Sequence, residues 1–578
     1  MSYVEKMNSY NISAAYGMPL YFNQTISIQY AVDLNDQHFC SPRYEVKKVT
    51  EKVTDKGCQR RILDVVPKHG SGLPLFSINF TMISEKVVRI EIEHSSGTNF
   101  RTPDQVFNPD IYPFACKDVK TKITDVLKTA DKGEELYFKV HGYKNERNVL
   151  YSTKNLEFVH TPNYMKTTAH INSDKIFGLG ERVGEFFLKD GVYTLWARDE
   201  LSPIETGKRP SNSVYGTHPV YFSKIKTSNE FFAVFENNAG AQDFILESDT
   251  QGKTITHIKS SGITDTFIIL NNDIKNVTTE YINLVGLPAM VPEWVLGWHH
   301  SRFGYNNTNQ FKEVVDKFSE NHIPLDAIWA DVEYMDMYKD FSISNTDFKG
   351  FDDAVKDMRD SKNIKFIPIF DGAIAKDGAN SPYSRGIEQD VFIKDPVYPS
   401  KPFIGRVWPG KGVYVDWLHD DAISYWVNET QMFNQMIGFD GMWLDMNEPS
   451  SMCNGICSTI EKKEFKTPIQ NSLFYVPGSR DLSIKTVSVD AVHVNGVTEF
   501  EMHSLYGFYM SIASYKYLEQ RDKDKRPYVM TRSSYAGVGK YASHWLGDNF
   551  STYEMLKYSV TGIYHFNIFG VPITGADI

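Results

Sequence analysis

The segment FDGMWLDMNEPS, at residues 439–450, joins an apolar run to an abrupt acidic end. The run is typical of a buried β-strand, and it stops at Asp445, after which Glu448 and Pro449 prevent the strand from continuing. A buried carboxylate without a partner is costly, so packing alone does not explain an acid at this place. Two interpretations remain open here: a strand that ends on a reactive carboxylate, or acidic residues that cap a following helix.

The whole sequence argues against several classes of protein. At 578 residues, with 41% hydrophobic and 14% aromatic residues, the chain is too long for one core and rich in rings. Its net charge of −11 argues against a nucleic-acid partner, because phosphate binding needs clustered Lys and Arg. No apolar run approaches the roughly 18 residues that a membrane-spanning helix needs.

Five cysteines are too few for a disulfide scaffold, although Cys453 and Cys457 are spaced to close a small loop after the 439–450 segment. No His or Cys stands beside them at ligand spacing, so we expect no metal site. Seven N-glycosylation sequons favour secretory processing, at Asn11, Asn23, Asn79, Asn276, Asn306, Asn428 and Asn549. Residues 1–30 show no basic region followed by an apolar core, so we expect either a cytosolic protein or a natural N-terminus that lies elsewhere.

Residues 1–285 predict an antiparallel β-sandwich. Short alternating or aromatic runs, such as VVRIEIEH at 87–94 and FFAVFEN at 231–237, are separated by polar turns. The stretch ENNAGAQ at 236–242 is typical of a hairpin connection between two of these strands.

Residues 286–578 predict a second domain, of class α/β. Here strands alternate with amphipathic helices, which indicates βαβ units and a parallel sheet. Seven such strands predict an incomplete (β/α)8 TIM barrel with inserted loops at about 375–413 and 451–499. The eighth strand of such a barrel is missing from the pattern. A doubly wound open sheet is the alternative, but no Gly-rich phosphate loop follows the first strand.

Polar residues terminate five successive predicted strands, namely Asp331, Asp371, Asp445, Arg532 and Asp548. The C-terminal ends of barrel strands converge on one mouth, so we expect these side chains to share a pocket. Carboxylates accept hydrogen bonds from sugar hydroxyls, and two acids can divide glycoside hydrolysis between a nucleophile and a proton donor. The alternative is a set of structural caps and ion pairs in the barrel wall.

These motifs resemble a known family. WLDMNEPS closely resembles the nucleophile signature of glycoside hydrolase family 31, in its α-glucosidase branch. From about residue 177 onward, further motifs follow in the family's order: FGLGERV, LWARDELSP, WADVEYMDMYKDF, GRVWPG, TRSSYAGVGKYASHWLGDN and NIFGVPITGAD. The resemblance implies a galactose mutarotase-like sandwich followed by the barrel.

The resemblance also implies roles for particular residues. Asp445 matches the nucleophile and Asp548 the acid/base of a double-displacement mechanism, which predicts that their carboxyl groups lie about 5 to 5.5 Å apart. Glu448 matches a supporting residue, and Asp199 matches a sandwich-loop residue that reaches the second sugar. The positions that match the subsite for the non-reducing glucose are Phe303, Asp331, Asp371, Trp408, Trp443, Met446 and Arg532.

The function that the resemblance implies is a retaining exo-α-glucosidase that releases terminal α-1,4-linked glucose from maltooligosaccharides, without a cofactor. It implies the secretory pathway, in the lysosome, the vacuole or outside the cell, and it predicts no particular protein partner. Two other activities of the family stay open, an N-glycan-trimming glucosidase II-like enzyme and an α-xylosidase. Because the family's barrel continues past GAD and this chain ends at Ile578, a truncated chain that binds sugar without turnover is the remaining alternative.

Overall fold

The computed structural model describes residues 44–68, 75–94, 99–116, 119–142, 145–161, 163–200, 213–226, 228, 230–248, 250, 252–457, 469, 473, 475–479 and 481–577. Asn11, Asn23 and Cys40 lie outside the described residues, as do the end of the LWARDELSP motif and part of the 451–499 loop.

The N-terminal region consists of two antiparallel sheets packed face to face, which confirms the predicted sandwich. In chain order, its strands and one short helix are β1 (Tyr44–Val53), β2 (Gln59–Pro67), β3 (Phe76–Ser84), β4 (Val87–His94), α1 (Ile123–Val126), β5 (Leu127–Thr129), β6 (Phe138–Gly142), β7 (Asn145–Ser152), β8 (Phe158–Thr161), β9 (Tyr164–Ile171), β10 (Ser173–Gly178), β11 (Gly191–Leu195), β12 (Val220–Ile225), β13 (Phe231–Glu236), β14 (Gln242–Ser248), β15 (Lys253–Lys259) and β16 (Thr264–Asn271). One sheet has the order β1-β2-β3-β4-β16-β13-β12-β10, and the other has the order β11-β14-β15-β9-β7-β6-β5, with β8 paired to β9.

The strands in the middle of the first sheet are buried on both faces. In β13, Phe232 and Val234 pack into the core between the two sheets, whereas Ala233 and Phe235 face the other way. That second face packs against helix α2 (Ile274–Val285), where the Tyr281 ring lies 5.7 Å from the Phe235 ring. The same apolar cluster continues into the barrel, so the sandwich and the barrel share a core. Burial on both faces explains why β13 is a continuous apolar run rather than an alternating one.

The hairpin predicted at ENNAGAQ is wrong, because this segment joins β13 of one sheet to β14 of the other. Its polar side chains are buried and form hydrogen bonds inside the protein, whereas those of a hairpin turn would be exposed to solvent. Asn237 Nδ2 donates to Asp265 at 3.1 Å, and Gln242 Nε2 donates to the Asn238 carbonyl oxygen at 2.8 Å. A residue with a Cβ at Gly240 would collide with Ser261, so the glycine permits a close approach rather than a tight turn.

The C-terminal region contains the predicted parallel sheet. Its strands are β17 (His299–His300), β18 (Ala327–Ala330), β19 (Lys365–Asp371), β20 (Ala373–Ala375), β21 (Gly405–Val407), β22 (Gly410–Tyr414), β23 (Met442–Asp445), β24 (Val529–Thr531), β25 (Ser543–Trp545) and β26 (Thr574–Gly575). Seven of them pair in parallel in the order β17-β18-β19-β23-β24-β25-β26, which confirms a partial barrel, and β20, β21 and β22 form a small antiparallel sheet of their own. Its helices are α3 (Thr308–Glu320), α4 (Phe351–Ser361), α5 (Pro382–Glu388), α6 (Ala422–Met436), α7 (Glu499–Met502), α8 (Tyr506–Arg521) and α9 (Tyr553–Ile568).

Local sequence explains where these helices begin and which face they bury. At the start of α3, the Asn307 side chain accepts the Gln310 backbone N–H at 3.0 Å, which satisfies a donor that the helix leaves free. Phe311 and Val315, four residues apart, are buried against the barrel. None of the helices in the described part of the chain is both long and apolar enough to cross a bilayer.

Within the described part of the chain two disulfides are formed, Cys58–Cys116 and the Cys453–Cys457 pair that the spacing predicts. Disulfides of this kind are typical of proteins that fold in an oxidising compartment, such as the secretory pathway.

His493 ties the end of the 451–499 loop to the barrel. Its Nδ1 lies 2.8 Å from Asp416 and its Nε2 lies 2.8 Å from Glu499, which also bonds the His503 ring at 2.9 Å. All four side chains are buried. Burial lowers the pKa of His493, but the hydrogen bonds and charges of Asp416 and Glu499 outweigh it and raise this pKa to about 9.

We expect this contact to make the protein less stable as the pH rises above neutral. The raised pKa of His493 contributes stability that is complete below its ordinary value of 6.5 and lost as the pH passes through about 9. That loss amounts to about 3 kcal/mol in the free energy of unfolding.

Urea denaturation across this pH range should show the loss in the parent chain. The slope of the unfolding free energy against pH should be much smaller in His493→Asn. His322→Asn, at an exposed histidine, is the control and should keep the parent slope. The same slope in all three proteins would contradict the role of His493.

Candidate active site

Five of the predicted pocket residues stand at the ends of parallel strands. Asp371 and Asp445 are the last residues of β19 and β23, and the register of the two strands pairs them directly. Asp331 follows β18, Arg532 follows β24, and Asp548 follows β25 by three residues. Parallel strands carry their C-terminal ends to one side of the sheet, and the structure brings these five side chains together there.

The Arg532 guanidinium lies at the centre of this group, and its side chain is only 3% exposed. Its Nε lies 2.9 Å from Asp445 Oδ1, and its Nε and Nη2 bond Glu448 at 2.9 and 3.0 Å. Its Nη1 lies 3.7 Å from Asp548, and its Nη2 lies 3.9 Å from Asp199. One cation therefore faces four carboxylates, of which Glu448 makes the two-pronged contact that holds the guanidinium in place.

The carboxylates of the pocket differ in their tendency to ionise. Burial raises the pKa of Asp445 to about 6 and that of Glu448 to about 7, although the charge of Arg532 lowers both. Burial also raises the pKa of Asp331 to about 7. The Asp548 side chain is 61% exposed to solvent. The site thus combines a largely buried carboxylate held beside a cation, Asp445, with a second carboxylate that solvent reaches, Asp548.

Asp371 is almost completely buried, at 1% exposure. Among the described residues, neither of its carboxyl oxygens has a hydrogen-bond partner. Burial, together with the charges of Asp340 and Asp445, raises the pKa of Asp371 well above its ordinary value. A neutral carboxyl group of this kind can both donate and accept hydrogen bonds, which suits a ligand with hydroxyl groups.

The predicted apolar residues line the same mouth. The Trp443 ring meets the rings of Trp329 and Trp545 edge to face, with centroids 5.6 and 5.7 Å apart. Met446 is buried, and its sulfur lies 3.2 Å from Arg532 Nη2. At the rim, Phe303 and Trp408 stay exposed, with ring centroids 6.3 Å apart.

The sandwich also contributes to the site. Asp199 accepts a hydrogen bond from Ser450 Oγ at 3.0 Å. Tyr215, which the sequence analysis missed, places its ring 4.8 Å from the Arg532 guanidinium carbon, and its hydroxyl accepts the Asp548 backbone N–H at 3.2 Å. Tyr215 lies in a sandwich segment, so no rule about strand ends in the barrel could have found it.

Two further acids near the pocket were missed as well. Asp577 lies two residues beyond β26, much as Asp548 lies three residues beyond β25, so the rule of polar strand ends applied to it too. Partial desolvation and the charges of Asp548 and Asp445 raise the pKa of Asp577 to about 6, although part of its side chain is exposed to solvent. Asp340 accepts the Asp371 backbone N–H at 3.0 Å, and no pattern in the sequence predicts this contact.

Comparison with known proteins places this architecture in a family. Residues 288–578 match the family model described as "Glycosyl hydrolases family 31 TIM-barrel domain", which is half of the chain. The chain belongs to glycoside hydrolase family 31. Residues 77–244 match the N-terminal galactose mutarotase-like domain of family 31.

Several curated members of family 31 resemble this chain in sequence. It is 36% identical over 449 residues to intestinal sucrase-isomaltase of Homo sapiens, covering 75% of this chain and 24% of that protein. It is 32% identical over 495 residues to lysosomal alpha-glucosidase of Mus musculus, covering 85% of this chain and 50% of that protein. Alpha-xylosidase 1 of Arabidopsis thaliana is 32% identical over 473 residues, with 76% and 50% covered. The chain thus spans half or less of the length of these relatives.

Solved structures show the same fold. The glucosidase II alpha subunit, in a DNJ-bound form, matches with a TM-score of 0.77 at 19% identity, over 96% of this chain and 64% of that chain. A family 31 alpha-glucosidase from Bacteroides thetaiotaomicron matches with a TM-score of 0.57 at 27% identity, over 71% and 62%.

The buried pair of Arg532 and Glu448 leads to a stability prediction. In Arg532→Met, we expect the free energy of unfolding to fall by about 3–5 kcal/mol, because Glu448 would be left buried without its cation. Urea denaturation followed by circular dichroism at neutral pH measures the change. The control is Arg359→Met, since Arg359 is 29% exposed and its partner Asp440 is 18% exposed. Loss of that pair should cost about 1 kcal/mol or less. Equal losses in the two variants would contradict the central role of Arg532.

Proposed function

We propose that this chain is a retaining exo-α-glucosidase that hydrolyses terminal, non-reducing α-1,4-linked glucose from maltooligosaccharides. The observation that carries the proposal is the position of Arg532 between two unlike carboxylates, the 14% exposed Asp445 and the 61% exposed Asp548. Membership of family 31 and the alpha-glucosidases among its relatives support it. We also propose a place in the secretory pathway, in the lysosome or vacuole or outside the cell, on the same relatives and the two disulfides.

In the first step, a carboxylate oxygen of Asp445 attacks the anomeric carbon of the terminal glucose. A bond forms between Asp445 and this carbon while the bond to the glycosidic oxygen breaks, and the Asp548 carboxyl group donates its proton to that oxygen. In the second step, water attacks the anomeric carbon, Asp548 accepts a proton from it, and the ester bond to Asp445 breaks. The displacement occurs twice, so the anomeric configuration is retained.

Arg532 keeps the nucleophile charged in a site where burial would otherwise neutralise it. Glu448 supports this role, because its two contacts hold the guanidinium in one orientation. Asp331 and Asp371 bind the hydroxyls of the terminal glucose, and they can donate as well as accept because their pKa values are raised. The apolar wall of this subsite consists of Phe303, Trp408, Trp443 and Met446, and Asp199 reaches the second sugar.

Alpha-xylosidase 1 is as similar in sequence as lysosomal alpha-glucosidase, at 32% identity, which keeps an α-xylosidase as a second candidate. The fold likeness to the glucosidase II alpha subunit keeps an N-glycan-trimming activity as a third. Rates on p-nitrophenyl α-glucoside and α-xyloside, beside glucose release from maltose and from a glucosylated N-glycan, separate these candidates. Binding of maltose without hydrolysis of any of them would favour a sugar-binding protein.

The division of labour between the two acids can be tested by substitution. We expect Asp445→Asn to abolish turnover of maltose and p-nitrophenyl α-glucoside. Asp548→Asn should lower kcat on maltose by about 10²–10⁴-fold but affect p-nitrophenyl α-glucoside less, because p-nitrophenolate leaves with little need for a proton. Asp524→Asn, at an exposed loop acid, is the control. Equal losses on both substrates in Asp548→Asn would contradict its role as the acid.

The pKa of Asp445 also predicts a pH dependence. As the pH falls below about 6, Asp445 becomes protonated and can no longer attack, so kcat/KM should fall about tenfold for each further pH unit. Initial rates on p-nitrophenyl α-glucoside over a range of pH measure this limb of the profile. The limb should persist in Asp548→Asn, because it belongs to the nucleophile. A flat profile well below that pH would exclude Asp445 as the titrating group.

A further inference from the structure

A cluster of exposed rings extends outward from the mouth of the site. The Trp408 ring lies between two others, with its centroid 6.3 Å from that of Phe303 and 6.2 Å from that of Tyr338. The exposed fractions are 61% for Phe303, 41% for Trp408 and 42% for Tyr338. Beside them the Met337 side chain is 71% exposed. Large apolar side chains that are grouped on a surface in this way are typical of a binding site, whereas single exposed apolar residues are common everywhere.

Three different parts of the chain supply these rings. Phe303 follows β17, Tyr338 follows β18, and Trp408 lies between β21 and β22 in the inserted sheet. The C-terminal ends of β17 and β18 open on the pocket, and Asp331 begins the segment that leads to Tyr338. The cluster is therefore continuous with the site that holds the reacting sugar, rather than a separate patch elsewhere on the surface.

The backbone at Met337 and Tyr338 is held in an unfavourable conformation, with φ angles of 52° and 60°. Bulky residues rarely adopt this left-handed region, and two in succession are rarer still. Burial does not explain the conformation, since both side chains are exposed. The Ser342 hydroxyl holds the turn by two hydrogen bonds on either side of these residues. Its Oγ accepts the Asp336 N–H at 2.9 Å and donates to the Lys339 carbonyl oxygen at 2.6 Å. Strain that surrounding contacts maintain is typical of functional sites.

The charges next to Tyr338 are already engaged with one another. The Lys339 ammonium lies 3.0 Å from Asp377 in the inserted loop and 3.7 Å from Asp336. The Lys339–Asp377 pair joins the loop after β18 to the insertion that carries Trp408, whereas the Lys339–Asp336 pair lies within the loop. Because these charges pair with one another, the ring faces are the surface available to a ligand. Such a surface suits a neutral ligand with apolar faces, as a pyranose ring has, and not an ionic ligand.

We propose that Tyr338, together with Met337 and the outer face of Trp408, binds the leaving-group side of the substrate, namely the second and third glucose units of an α-glucan chain. This inference rests on the proposed function, and it makes Tyr338 a specificity residue that favours longer maltooligosaccharides over maltose. Each glucose unit stacks its CH face on a ring, so binding strengthens with chain length until the cluster is covered.

Binding should be measured in an Asp445→Asn background, where substrate persists, by titration calorimetry with maltose and maltotetraose. We expect Kd for maltotetraose to be about two- to tenfold lower than for maltose. Tyr338→Asn should bring the ratio of the two Kd values close to one, because maltotetraose, which covers more of the ring cluster, should lose more binding than maltose does. Asparagine tolerates the left-handed backbone, so the turn keeps its shape without the ring. Tyr338→Phe should retain the ratio.

Tyr564→Asn is the matched control, because Tyr564 is 62% exposed but lies on α9, away from the ring cluster. It should keep the parent ratio. Equal Kd values for the two sugars in the parent background, binding of neither sugar, or a ratio that survives Tyr338→Asn would each overturn the inference. Hydrolysis of p-nitrophenyl α-glucoside by the unsubstituted chain is measured in parallel. Its absence would overturn the proposed function, whereas the Kd ratio decides the role of Tyr338 by itself.

Discussion

The Arg532 guanidinium makes this site possible. Carboxylates at the ends of neighbouring barrel strands repel one another and lose their hydration when buried, so without a cation most of them would become protonated. Arg532 lies 2.9 Å from both Asp445 and Glu448, and its charge opposes the rise that burial causes in the pKa of each carboxyl group. A planar group with several donors can satisfy carboxylates from different directions at once, which the compact ammonium of a lysine could not do.

The position of Arg532 depends in turn on the sandwich. The Thr217 N–H donates to the Ser534 carbonyl oxygen at 2.8 Å, and Ser533 Oγ donates to the Tyr215 carbonyl oxygen at 2.8 Å. These bonds attach a sandwich segment to the residues that directly follow Arg532. The Tyr215 ring then covers the guanidinium and its hydroxyl holds the loop of Asp548. The two regions therefore form one functional unit, in agreement with the core that they share.

Unequal burial gives the two proposed reactants different tasks. Asp445 lies on the strand end itself, where the barrel wall shields it and Arg532 balances its charge. Asp548 lies three residues beyond its strand, on a loop that reaches solvent, so it can exchange protons with water. The exposed rings of Phe303, Trp408 and Tyr338 lie farther out, where we propose that a long substrate covers them. The same mouth thus changes from ionic at its base to aromatic at its rim.

Local patterns in the sequence determined the sandwich, the seven parallel strands and the polar residues at their ends. Strand and helix periodicity can be recognised without knowledge of distant contacts. The same holds for the rule that parallel strands of a barrel converge at their C-terminal ends. Asp577 obeyed the same rule and was still overlooked. Tertiary structure alone decided that ENNAGAQ passes between two sheets, that Tyr215 covers Arg532, and that Tyr338 joins Trp408. Each of these depends on a partner far away in the chain, and a residue's own neighbours in sequence carry no record of which distant surface it will meet.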